Sequence, residues 1–183
     1  MQMNDKYIWT IIVTAVLTIM LFFNRKVRLF ALIKEQMLVF KNDKTKKLSI
    51  WDYVCFFVLP LIVAIILVYK LEFTIDDTLA NLLTTVFSVV FTVLFGFAAI
   101  MIGKIDSQNK IEKQVAEETF VSIVSSTLLS LIAAVLSITL TQIDFLFCLQ
   151  IISAVILTLS LIIIMLILLI TKRTFYLYVK NKK

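Results

Sequence analysis

The chain contains no histidine, and among its 183 residues there are two glycines, one proline and two cysteines. Without histidine the commonest general base and the commonest metal ligand are both missing. Cys55 and Cys148 lie singly inside apolar runs and form no C-x-x-C pair, so neither a disulfide nor a metal site is expected, and no cofactor. Scarce glycine and proline leave little turn chemistry for β-hairpins, and the alternation that a membrane β-barrel strand needs does not occur. Charged residues are also few, at 16%, while 61% of the chain is apolar and the mean hydropathy is +1.04. A chain of this size with so little polar surface belongs in a bilayer, where long Leu, Ile, Val and Phe runs satisfy their own backbone as helices. The fold class is therefore all-α, a polytopic transmembrane helical bundle forming a single membrane domain over 1–183.

Hydropathy and charge place five spans at 7–23, 52–69, 79–103, 119–141 and 145–170; the first is short, and four spans with a peripheral anchor is the alternative. Of the 18 Lys and Arg residues, 16 fall in 24–51, 104–118 and the tail after Thr171, leaving Lys6 and Lys70 on the other side. By the positive-inside rule the N-terminus is outside and the C-terminus inside, with 24–51 a cytosolic basic segment and 104–118 a cytosolic connector. The net charge of +6 is thus a topology signal, and direct nucleic-acid binding is not expected. Every Trp and Tyr falls at a predicted interface: Tyr7, Trp9 and Tyr69 outside; Trp51, Tyr53, Tyr176 and Tyr178 inside.

Within the basic segment Phe30, Ile33, Met37 and Phe40 share one helical face, suited either to anionic headgroups or to packing on the chain itself. Pro60 stands mid-span and predicts a kink or a packing adjustment. Thr84, Ser88, Thr92 and Gly96 recur every four residues in the third span, as do Ser122, Ser126, Ser130 and Ala134 in the fourth. Small residues at this spacing let helix backbones approach closely, so both stripes read as packing surfaces, within one chain or between copies. A hydroxyl-lined pathway that adds Asn81, Thr85, Ser125, Thr127, Ser137, Thr139 and Thr141 is the rival reading, but no charged residue lies near the centre of any span. The carboxylates Asp76, Asp77, Asp106, Glu112, Glu117 and Glu118 sit in connectors or at span ends, where solvated charge explains them, and no phosphate-binding loop motif occurs. The sequence does not describe an enzyme.

The basic segment KVRLFALIKEQMLVFKNDKTKKLSIWDY, the charged entry NKIEKQVAEETFVSIVSSTLL and the basic aromatic end TKRTFYLYVKNKK together resemble the small multi-span membrane subunits of bacterial antiphage defence systems, most of all the Kiwa membrane subunit. The resemblance covers the whole length as architecture, and five spans would exceed the four usual there. It implies a homo-oligomer, with a tetramer favoured, in the bacterial inner membrane, acting as a sensor or scaffold that engages a cytosolic DNA-binding partner. It supplies no catalytic residue. The cytosolic charges Lys34, Lys41, Lys44, Lys46, Lys47, Lys110, Lys113, Glu117 and Glu118 are then the candidates for partner docking. The rivals are an ion-conducting or membrane-disrupting effector and a small transporter subunit.

Overall fold

The structure, a computed structural model, describes residues 29–39, 50–105, 110–143 and 145–180. The predicted span 7–23 and the lysines 41, 44, 46 and 47 lie outside these residues. The described residues are all-helical: α1 (Leu29–Val39), α2 (Ile50–Lys70), α3 (Asp77–Ile105), α4 (Lys110–Leu140) and α5 (Leu146–Lys180). Helices α2 to α5 are each long and apolar enough to cross a bilayer, which makes the chain a multi-pass membrane protein.

The helices extend past the predicted spans at several ends. Helix α4 starts at Lys110 rather than near residue 119, and α5 runs on to Lys180 rather than stopping near residue 170. Charge ends a span but not a helix, and LysArgThrPheTyrLeuTyrValLys is an acceptable helical sequence once it leaves the lipid. Helix α3 likewise begins at Asp77 and ends at Ile105.

The single proline is accommodated inside α2 without breaking it. The turn before it, Val54–Val58, is widened, with the Leu59 N–H donating to the Val54 carbonyl five residues back. Proline has no N–H and its ring crowds the carbonyl four residues earlier, so a wider turn relieves the clash that a regular turn would impose. Pro60 itself is fully buried. A second wide turn, Ile66–Lys70, ends the helix, and the Phe73 N–H closes back on the Leu67 carbonyl at 3.1 Å. That Schellman-type ending puts Glu72 in the left-handed region, at φ 51°, a place usually given to glycine. A side chain there costs about 1 kcal/mol.

Helix α4 is the centre of the bundle. It packs against α3, α5 and α1, while α2 packs on α5 alone, and among the described helices α2 and α3 do not meet. Burial follows this order: 44% of the most apolar stretch of α4 is enclosed, against 11% for α2. Ile162 and Leu166 of α5 form one small core cluster with Phe56 and Phe57 of α2, and two larger clusters lie toward the ends of the bundle. At the end holding the 71–76 connector, Ile75, Ala80, Phe87, Ala133, Ala134, Leu140, Ile156 and Ile163 come together. At the opposite end, which carries Lys110, Lys113, Lys172 and Arg173 and is called the basic end below, Leu94, Met101, Ala116, Ile123 and Ile170 do so.

Candidate functional site: the faces of α3 and α4 and the basic end

Helix α3 packs on its neighbour through Ala80, Phe87, Leu94 and Met101, seven residues apart and all buried. A seven-residue repeat is what a helix keeps when one seam faces one partner over its whole length. At 100° per residue the opposite side of α3 is occupied by Thr78, Asn81, Thr85, Ser88, Thr92, Gly96, Ala99 and Gly103, all within about 40° of one line. All eight are exposed in the isolated chain. Every one is small or polar, and Leu82, Val86, Val89, Val93, Phe95 and Ile100 flank them as exposed bulky side chains.

Sequence spacing located only part of this face. Steps of four residues drift about 40° per step, so the Thr84–Ser88–Thr92–Gly96 series winds from a half-buried flank at Thr84 to the exposed face at Gly96. Alternating steps of three and four stay on one side, and that period adds Thr78, Asn81, Thr85, Ala99 and Gly103. Both glycines of the chain are on this face. A Cβ at either Gly96 or Gly103 meets nothing within 4 Å, so no contact among the described residues calls for glycine there.

The stripe on α4 lies differently. Ser122, Ser126, Ser130 and Ala134 are buried, together with Thr119, Thr127 and Ser137, because α4 packs against α1, α3 and α5 and the stripe stays within that packed side, while Leu131, Ile132, Val135 and Ile138 are exposed elsewhere on the helix. The two stripes therefore do not face each other.

The hydroxyls of both helices donate to their own backbone. Ser88 Oγ donates to the Thr84 carbonyl at 2.8 Å and Thr92 Oγ1 to the Ser88 carbonyl at 2.9 Å. On α4, Ser122, Ser126 and Ser137 donate to the carbonyls four residues back at 3.0, 2.8 and 2.9 Å. Back-bonding satisfies each proton inside apolar surroundings and leaves the side chain acting as a small surface that still has lone pairs to offer.

At the basic end a polar group of side chains ties α4 to α5. Arg173 Nη2 lies 3.1 Å from Glu118 Oε2, with the two side chains 17% and 29% exposed. Gln114 Nε2 donates to the other Glu118 oxygen at 3.0 Å. The second terminal nitrogen of Arg173 and the Thr174 hydroxyl are enclosed without a hydrogen-bond partner, as is the amide of Gln36 on α1. Of the sequence-derived docking residues, Lys34, Lys110, Lys113 and Glu117 are exposed, the last two as an exposed pair at 4.0 Å. Glu118 is instead engaged with Arg173. Sequence reading missed Arg173 because an interhelical pair depends on the register of α4 against α5, which no local pattern encodes.

Comparison of the chain with protein families, curated proteins and solved structures finds no match.

Proposed function

We propose that the protein is a homo-oligomeric membrane scaffold or sensor, assembled through the outward face of α3, that passes its output to a cytosolic partner through the basic surface. The observation that carries the assembly is the placement of the small and polar residues of α3. They point away from the one described helix that α3 packs on, and they include two glycines against which no described residue packs. A glycine within a helix costs about 1 kcal/mol relative to alanine, and close approach of another backbone is what offsets that cost in a membrane. A second copy of α3, arranged about a rotation axis, fits such a face.

The setting is the bacterial inner membrane, with the basic end in the cytosol. The role in antiphage defence and the cytosolic DNA-binding partner rest on the resemblance to the Kiwa membrane subunit alone. Lys34, Lys110 and Lys113 present positive charge at the basic end, beside the lysines at 41, 44, 46 and 47 in sequence. Such a surface recruits an acidic partner or anionic headgroups. Changing Lys41, Lys44, Lys46 and Lys47 to Glu, with Arg25, Lys26 and Arg28 kept to hold topology, should abolish recruitment of the partner and protection against phage at unchanged expression and assembly size. Full protection by a correctly inserted variant would refute docking through this surface.

The second reading, an ion-conducting effector, is favoured by one feature. Asn81, Thr85, Ser88 and Thr92 form an exposed polar column, so a conduit lined by them would run between copies rather than through one chain. Loss of membrane potential on activation, in cells lacking any partner, would select this reading over the scaffold.

A further inference from the structure

Residues 71–76 do more than join two helices. Helix α2 packs on α5, and α3 packs on α4, so the chain must cross the end of the bundle to pass from one pair to the other. Six residues span at most about 20 Å when extended, and helices pack 8–10 Å apart, so the crossing leaves little slack. Midway through the bundle end the connector turns inward. Ile75 is fully buried, although it belongs to a connector, and it joins the core cluster formed with Ala80, Ala133, Ala134, Leu140 and Ile156. Phe87 and Ile163 complete that cluster, so the connector contributes one bulky side chain to a core otherwise built by the helices.

One hydrogen bond fixes it there. The Ile75 N–H donates to Ser153 Oγ at 3.2 Å, across 78 residues of sequence. Ser153 is itself buried on α5, so the bond is made inside the core and not at the water boundary. Next in sequence, Asp76 accepts the Leu79 N–H at 2.8 Å and starts α3. On the other side stands the left-handed Glu72. The connector is therefore anchored at Ile75, rigidly joined to α3, and strained where it leaves α2.

From this geometry we propose that residues 71–76 form a strap with two positions, seated with Ile75 in the core and withdrawn with Ile75 in solvent, and that the Ile75–Ser153 bond holds it seated. In the seated position the strap couples α2 and α5 to α3 and α4 at this end of the bundle. Withdrawal uncouples the α2–α5 pair from the α3–α4 pair at this end, so the strap is a means of relaying events at the connector end to the helix that carries the assembly face. That use rests on the scaffold or sensor reading; the two-position strap itself does not.

The test uses the purified full chain in detergent or in vesicles and reads hydrogen exchange over residues 71–79. In the wild-type chain the Ile75 amide should exchange far more slowly than the amide of the exposed Asp77. Ser153→Ala removes the acceptor and should speed exchange of Ile75 by about 3- to 10-fold, the effect of losing one buried hydrogen bond. Glu72→Asn, which suits the left-handed region better, should slow it about 2- to 5-fold. As a second readout, Ile75→Cys in a Cys55→Ser, Cys148→Ser background should react with a membrane-impermeant maleimide at least ten times more slowly than Glu72→Cys. Exchange of Ile75 as fast as Asp77, or a rate unmoved by Ser153→Ala, would overturn the strap. Loss of phage protection or of assembly in other variants bears on the scaffold reading and leaves this result standing.

Discussion

Replacing Gly96 on α3 and Ser126 on α4, each with leucine, separates packing within a chain from packing between chains. Ser126 is fully buried and donates to the Ser122 carbonyl at 2.8 Å. Leucine adds two heavy atoms in a place already closed on all sides, and overpacking of that kind costs about 1–3 kcal/mol. For a chain of this size each kcal/mol lowers Tm by roughly 2–4 °C, so Ser126→Leu should lower the unfolding temperature of the subunit by roughly 2–12 °C. Gly96 is different, since a Cβ there meets nothing. Within the subunit Gly96→Leu should be neutral or stabilising by about 1 kcal/mol, through helix propensity alone. At a contact between copies the same leucine holds the backbones apart, and a loss of about 1–3 kcal/mol per copy is roughly a 5- to 150-fold weakening of association. Light scattering of the detergent-extracted protein gives the mass of the assembly, and thermal unfolding of the dissociated chain gives the subunit's own stability. The expected pattern is a smaller assembly with a sound subunit for Gly96→Leu, and a weakened subunit for Ser126→Leu. An unchanged mass for a chain carrying both Ser88→Leu and Gly96→Leu would refute assembly through this face. A lowered subunit Tm for Gly96→Leu would show that the face is covered within the chain.

Two further outcomes are expected. Glu118→Gln and Arg173→Gln should each destabilise the subunit by about 1–3 kcal/mol, less than for a fully enclosed pair because solvent reaches both side chains; thermal unfolding checks this, and the exchange Glu118→Arg with Arg173→Glu should recover part of the loss, so a swap as unstable as the worse single change would show that the pair holds nothing. A reporter active only in the cytosol should give signal when fused to Lys183 and be silent when fused after Thr78, and the reverse pattern would invert the bundle.

How far the sequence reveals this architecture depends on whether the information is local. Four spans follow from runs of apolar residues whose length is set by the bilayer, and each is present as a helix. The helices run past those spans at Lys110 and beyond Ile170, because lipid sets the span and backbone propensity sets the helix. The stripes on α3 and α4 were visible as composition. Which of them meets protein was not, since this depends on α4 having three neighbours and α3 one among the described helices. Ile75 and the Arg173–Glu118 pair were hidden for the same reason: a connector residue buried against a helix 78 positions away, and two charges joined by helix register, are set by tertiary geometry alone.

The exposed faces of the bundle differ in a way that bears directly on which of them meets lipid. Helix α2 turns Leu59, Leu61, Ile62, Ile65 and Ile66 outward, and α5 turns out Phe147, Ile151, Val155, Ile164 and Leu168. These are large aliphatic or aromatic side chains, as lipid-facing positions tend to be, and they gain nothing from a helical partner that acyl chains do not already give. The exposed line of α3 from Thr78 to Gly103 has no such residue, although bulky side chains stand on both of its flanks. Small residues between bulky ridges make a groove, and two such grooves brought together allow their backbones to approach while the ridges interlock. A contact strip of 26 residues at 1.5 Å each is about 39 Å long, and at roughly a third of the circumference of a helix it buries on the order of 400 Å² per copy. That is about half of what a standard stable interface buries per partner. One α3 pair alone would therefore be a weak contact, and an assembly held through α3 would need to bury further surface beside this strip, where Leu82, Val86, Val89 and Val93 stand exposed.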